Sequence, residues 1–189
     1  MRKITLDIET SNIGSSMSDP SQLDLALVGI HDSQNDEYVS FTLEDIARLW
    51  PILESADIVI GYNSDHFDIP ILNKYYPGNL SAIRSVDLMK EIKKVLGRRL
   101  RLDNVAEATL GRKKSGSGLQ AVKWWAQGER EKVRAYCLED VRITRELYDW
   151  VRKNGSLKYR DFDGIRELKI DTKEWEKPTN GSLTHTLPF

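Results

Sequence analysis

Residues 3–10 read Lys3-Ile4-Thr5-Leu6-Asp7-Ile8-Glu9-Thr10. Apolar Ile4, Leu6 and Ile8 alternate with Thr5, Asp7 and Glu9, the period of two that marks a strand with unlike faces. Asp7 and Glu9 therefore project from one face, and the three apolar side chains from the other. Two carboxylates so placed repel each other, and a divalent cation between them relieves the repulsion. On this stretch alone, two solvent-facing acids on an edge strand explain the pattern at least as well.

Working outward, Met1-Arg2 ahead of the strand has no signal-peptide character, and no apolar run in the chain is long enough to span a membrane. Residues 11–22 are rich in Ser, Asn, Asp and Gly and read as a loop. Apolar 25–30 and the run 37–42, separated by Asp32-Ser33-Gln34-Asn35-Asp36, predict a β-hairpin. Thr42 with Asp45 resembles a capping box that opens a helix through Ile46, Leu49 and Leu53, interrupted at Pro51. Residues 57–61 predict a buried strand, 70–76 a short helix opened by its proline, and 85–88 another short strand. Helices are expected over 89–96, 104–110, 119–126 and 129–151, with a Gly/Ser/Lys loop at 112–118. Beyond Asn154 the chain is polar and weakly patterned, and its last dozen residues are expected to fray. Strands followed by helices in this order predict an α/β architecture, a mixed central sheet flanked by helices. No repeat or linker interrupts it.

The chain has 189 residues, 40% of them hydrophobic and 30% charged, enough to bury the core of one ordinary domain. Its lone cysteine, Cys137, excludes an internal disulfide framework, so a reducing, cytoplasmic setting is the expectation. Net charge is −1, but its distribution is uneven. Residues 1–70 hold three Lys and Arg against thirteen Asp and Glu, whereas residues 90–114 hold nine against three. That division suits a protein that gathers cations in one place and a polyanion beside it. A solvated helix face is an equal explanation of the basic stretch taken alone.

Two further clusters bear on the acidic pair. Gly61-Tyr62-Asn63-Ser64-Asp65-His66-Phe67-Asp68 follows the apolar run Ile58-Val59-Ile60, and the carboxyl end of a buried strand is a frequent place for functional groups. The plain alternative is a strand-to-helix loop with Asp65 or Asp68 capping the helix, the preferred reading for Asp65. In the last predicted helix, Tyr136 and Asp140 of Tyr136-Cys137-Leu138-Glu139-Asp140 are four apart and share one face. Cys137 and His66 read as packing and loop residues, and Asp87 as the cap of the helix after it. Oxygen ligands without a His or Cys cluster favour Mg²⁺ or Mn²⁺ over zinc, and four carboxylates suffice for two ions. Two such ions clamp the attacking and leaving oxygens of a phosphoryl displacement, chemistry that needs no protein nucleophile. The sequence offers no Ser/His or Cys/His arrangement and no Walker-type phosphate loop.

Leu6 to Thr10, Asn63 to Asp68 and Tyr136 to Asp140 resemble, in order, the three exonuclease motifs of the DEDD superfamily. Tyrosine four residues before the last aspartate is similar to the DEDDy branch. The histidine branch has its His five residues before that aspartate, and position 135 is Ala. The second motif resembles the proofreading domain of family B DNA polymerases. The stretch 100–148 is similar to small bacterial predicted exonucleases of the YprB type. The resemblance implies a ribonuclease H-like exonuclease domain over 1–154, followed by a partly irregular C-terminal extension over 155–189. It implies release of nucleoside 5′-monophosphates from the 3′ end of single-stranded DNA or RNA. Asp7 would bridge two Mg²⁺ or Mn²⁺ ions, Glu9 and Asp140 would complete one site, and Asp68 would support the other through water. Tyr136 would orient the attacking water, its own pKa being too high for an efficient base at neutral pH. Thr10 and Phe67 would touch substrate, and Asn63 would touch it or steady the second motif. Lys113 and Lys114, with Lys123, are candidates for phosphate contacts, whereas Trp124 and Trp125 divide between base stacking and core packing. Two other classes compete: a binding module that keeps the fold without turnover, and an endonuclease on the same scaffold.

Overall fold

The strand expected at the amino terminus forms as β1 (Lys3–Thr10), and it is central. The computed structural model describes residues 1–14, 19–112 and 116–177. β2 (Leu25–Asp32) pairs antiparallel along one side of β1, and β3 (Glu37–Phe41) continues the hairpin outward. β4 (Ile58–Gly61) pairs parallel on the other side, followed by parallel β5 (Ser85–Asp87). The order is β3-β2-β1-β4-β5. An interior position removes the edge-strand explanation for Asp7 and Glu9.

Both sheet faces are covered, which the period of β1 dictates. Ile4, Leu6 and Ile8 enter a core with Val28, Ile30, Val59 and the helices α1 (Trp50–Glu54) and α2 (Asp68–Leu72). Thr5, Asp7 and Glu9 face the opposite side, where α6 (Arg130–Asn154) crosses β1 and β2. Ile143, Leu147 and Val151 of α6 bury against Ile58, Ile60 and Val86 of the sheet. α3 (Leu88–Leu96), α4 (Leu102–Leu110) and α5 (Gly118–Ala126) fill the connection leading to α6. Among the described residues, no helix is long and apolar enough to cross a membrane.

Local chemistry moved several boundaries. Asp45 accepts the Thr42 backbone N–H at 2.8 Å, the return bond of a capping box. A 3₁₀ turn at Ile46–Arg48 nevertheless comes first, and α1 begins only at Trp50, with Pro51 in its first turn where the missing N–H is harmless. α2 starts at Asp68, two residues ahead of the proline expected to open it.

The larger correction lies beyond α6. Weak patterning gave no strand there, yet β6 (Ser156–Asp161) and β7 (Gly164–Lys169) form an antiparallel hairpin. Leu157, Tyr159, Leu168, Ile170 and Trp175 join the core beneath α6. Only one face of the hairpin is apolar, and single residues rather than a long alternation carry the burial. Trp175 stacks on Tyr148 with ring centroids 5.5 Å apart. Glu176 accepts from Lys3 at 3.1 Å, Tyr148 at 2.8 Å and Arg152 at 2.8 Å. The frayed end expected over the last dozen residues lies outside the described residues.

Trp175→Ala is expected to destabilise the protein by about 3–5 kcal/mol in urea unfolding, the usual cost of removing a buried large aromatic. Phe162→Ala in the turn of the same hairpin, where the ring is fully exposed, should change stability by less than about 0.5 kcal/mol.

Candidate metal centre and its cleft

The centre forms where α6 packs onto β2 with no β2 side chain between them. Gly29 of β2 has no side chain, and a Cβ there would meet Cys137 Sγ at 2.9 Å and Leu138 Cδ2 at 3.1 Å. Cys137 fits into this space, buried, its thiol directed at the Asp7 carbonyl oxygen 3.3 Å away. Burial first, then the neighbouring carboxylates, push its thiol pKa up, so it is a packing group rather than a nucleophile. Tyr136 and Asp140, on either side of it in the helix, are thereby turned toward β1.

Asp7, Glu9 and Asp140 each offer a carboxylate oxygen, and these oxygens all lie within 4.8 Å of one another. Glu9 and Asp140 are buried and Asp7 is half-buried. Three anionic oxygens converging from two elements, with no nitrogen or sulfur among them, form a donor set suited to a hard divalent cation.

Asp68 approaches from the second motif. Its Oδ1 accepts the backbone N–H of Ile8 at 3.1 Å, just past the point where β4 stops pairing with β1. It therefore replaces a missing strand partner and does not cap α2, whose N-terminus has no side-chain cap. Its pKa is pushed up to about 8, chiefly by burial and then by the charges of Asp87 and Asp140.

A tight turn delivers it there. Asn63 adopts φ 66°, and its N–H donates to Asp87 Oδ1 at 2.8 Å, while Asp65 N–H donates to Asp87 Oδ2 at 3.1 Å. Asp87 also caps α3 by accepting from Lys90 N–H at 3.2 Å, so one buried carboxylate fixes both segments. A Cβ on Gly61 would lie 2.2 Å from Ser64 Oγ, which explains the glycine at the strand's end. Asp65 does not cap α2 either: it accepts from Ser85 Oγ and from Lys90 Nζ, both at 2.6 Å.

Tyr136 is buried, and its hydroxyl hydrogen-bonds Asp140. Desolvation first, then the Asp140, Glu9 and Asp7 charges, raise its pKa well above the ordinary value, which keeps the proton on the oxygen. Trp124 packs edge-on against it at 6.1 Å between ring centroids, and a Cβ at Gly116 would meet both rings, at 3.3 Å and 3.5 Å. Both Trp124 and Trp125 are half-buried, and Arg130 stacks on Trp125 at 3.5 Å.

Asp7, Glu9, Asp68, Tyr136 and Asp140 line one cleft of about 180 Å³, which also receives Thr10, Asn63 and Phe67. Lys113 and Lys114 lie outside the described residues. The sequence reading missed the wall made by Gly118, Leu119 and Val122 of α5, and the lining residue Tyr62, whose hydroxyl donates to the Leu100 carbonyl at 2.9 Å. Leu119 and Val122, three apart on a helix, gave the only hint of that wall.

No curated protein matches the chain. Among solved structures it is similar to the family B DNA polymerase from the hyperthermophilic archaeon Pyrobaculum calidifontis. The TM-score is 0.63 at 22% identity, over 80% of this chain and 24% of the polymerase chain. At that identity the likeness is one of fold, and this chain spans about a quarter of the polymerase. The model of the RNase_H superfamily matches residues 4–152, a span that holds the five-stranded sheet from Ile4 onward, the acidic triad and Asp68. Membership supports nuclease activity with divalent metal ions and a nucleic acid as substrate. With a mixed five-stranded sheet between helices and this family match, the chain has a ribonuclease H-like fold and belongs to the RNase_H superfamily.

Proposed function

We propose that this protein is a metal-dependent 3′–5′ exonuclease of the DEDDy type. It would remove nucleoside 5′-monophosphates from the 3′ end of single-stranded DNA or RNA. The observation that carries the reading is the buried Tyr136–Asp140 face set against Asp7 and Glu9 in one cleft.

In this reading Asp7, Glu9 and Asp140 hold Mg²⁺ or Mn²⁺, and Asp68 supports a second ion. Two such ions, when bound, supply Lewis-acid polarisation of the phosphoryl group and a more acidic water. The remaining work belongs to the chain. Tyr136 keeps its proton and can donate or accept a hydrogen bond to a water held beside Asp140, setting its line of approach. Leu119, Val122 and Phe67 give the cleft apolar walls against which a terminal base can rest. Thr10 and Asn63 supply polar contacts at its rim.

The test is a 5′-labelled single strand of DNA or RNA incubated with Mg²⁺ or Mn²⁺. Wild type should give a ladder shortening from the 3′ end, and Asp7→Ala should lower the rate by roughly 10³-fold or more. Retention of the strand without cleavage under either metal would leave a binding module in place of an enzyme. Internal cuts on a circular strand would make it an endonuclease. Tyr136→Phe should reduce kcat by about 10²-fold with KM little changed, the scale expected when a reactant loses its alignment. An unchanged kcat refutes the orienting role.

Asp68 also gives a pH signature. Its folded-state pKa of about 8 lies above the unfolded value of about 4, so the folded protein holds the extra proton across that interval. Stability in EDTA should therefore fall as pH rises from about 5 to about 8, while Asp68→Asn should show a flatter profile. Added Mg²⁺ or Mn²⁺ should restore wild-type melting most at the alkaline end. Parallel profiles for the two proteins would show that Asp68 is not the group responsible.

A further inference from the structure

A second groove, of about 230 Å³, adjoins the cleft. Asn63 lines both, so the two spaces meet at the second-motif turn. Lys90, Lys93, Arg99 and His66 line the new groove. We infer that this groove carries backbone phosphates of the substrate strand on the 5′ side of the terminal nucleotide.

The charges separate into two sets. Lys90 pairs with Asp65 at 2.6 Å, Lys94 with Glu91, Arg98 with Asp161 at 3.1 Å and Arg101 with Asp103 at 3.2 Å. Lys93 and Arg99 have no ion pair among the described residues, and both are exposed. On a merely solvated helix face these two would point away from one another. Gly97 ends α3 in the left-handed conformation at φ 78° and turns the chain, so that Arg99 faces the same groove as Lys93.

The groove's own acids do not oppose a phosphate. Asp65 is engaged by Ser85 and Lys90, and buried Asp87 accepts three backbone N–H groups. What remains available is positive: two uncommitted cations, with an exposed His66 beside them in the lining. Cationic side chains set along a groove that opens from a nucleotide-sized cleft match the spacing of charge on a nucleic acid strand and need no base readout.

The inference rests on reading the cleft as the seat of a 3′ end, and binding without turnover tests it separately. Fluorescence anisotropy in EDTA would follow a labelled oligothymidylate of about 12 nucleotides. Lys93→Ala/Arg99→Ala should weaken binding roughly tenfold at 0.1 M salt and reduce the slope of log K against log salt by about 1.4, two phosphate contacts being lost. The charge-matched control Lys153→Ala/Lys173→Ala should bind as wild type does. A dinucleotide used as competitor, which reaches only the cleft, should compete equally well against both proteins.

An unchanged affinity and salt slope in the Lys93/Arg99 variant would overturn the inference. So would a polyglutamate peptide that binds wild type as tightly as the oligonucleotide. If the groove-dependent binding is present while the 3′ ladder is absent, the exonuclease reading fails and the groove stands.

Discussion

How near a helix can come to a sheet is set by the side chains between them. At Gly29 there is none, and α6 uses that space with Cys137. Everything in the cleft follows from this approach. A side chain on Gly29 would lift α6 off the sheet, and carboxylates on separate elements would no longer converge within 4.8 Å. The glycine and the cysteine thus act on the site without entering it.

Convergence has an electrostatic cost that the fold distributes. Asp7, Glu9, Asp140 and Asp68 are crowded into partly or fully buried positions, where like charges repel strongly. Asp68 takes a backbone N–H of β1 as its own partner. Asp87 in turn is held by the turn and by the start of α3, so its charge is not loose beside Asp68. Divalent cations between these oxygens would relieve that repulsion, the usual exchange of stability for a competent site.

Much of this was legible in residues 3–10. The alternation around Asp7 and Glu9 foretold the strand and its two faces, and the hairpin, the buried strand at 57–61 and the long helix all formed close to where expected. The expectation that both acids share one face was met, although their place at the sheet's centre was not derivable from local pattern. Asp65 was misread as a helix cap because a loop acid before a helix usually is one, and the same alternative weighed on Asp68. Their true partners are 20 to 60 residues away, Ser85 and Lys90 for one and Ile8 for the other. The α5 wall and the terminal hairpin were missed for a related reason: single apolar residues carry the packing, and single residues have no period.

The segment after α6 changes how the chain can be handled. The superfamily match stops at residue 152, yet Leu157, Leu168 and Trp175 cover apolar groups of the sheet and of α6. Glu176 ties Lys3, at the first residue of β1, to Tyr148 and Arg152 of α6, joining the two elements that carry the acidic triad. A fragment trimmed to the matched span would expose a greasy surface and slacken the hold between those elements. Anyone fusing this protein to a targeting module should therefore place the junction after residue 177 and leave the strap that follows α6 in place.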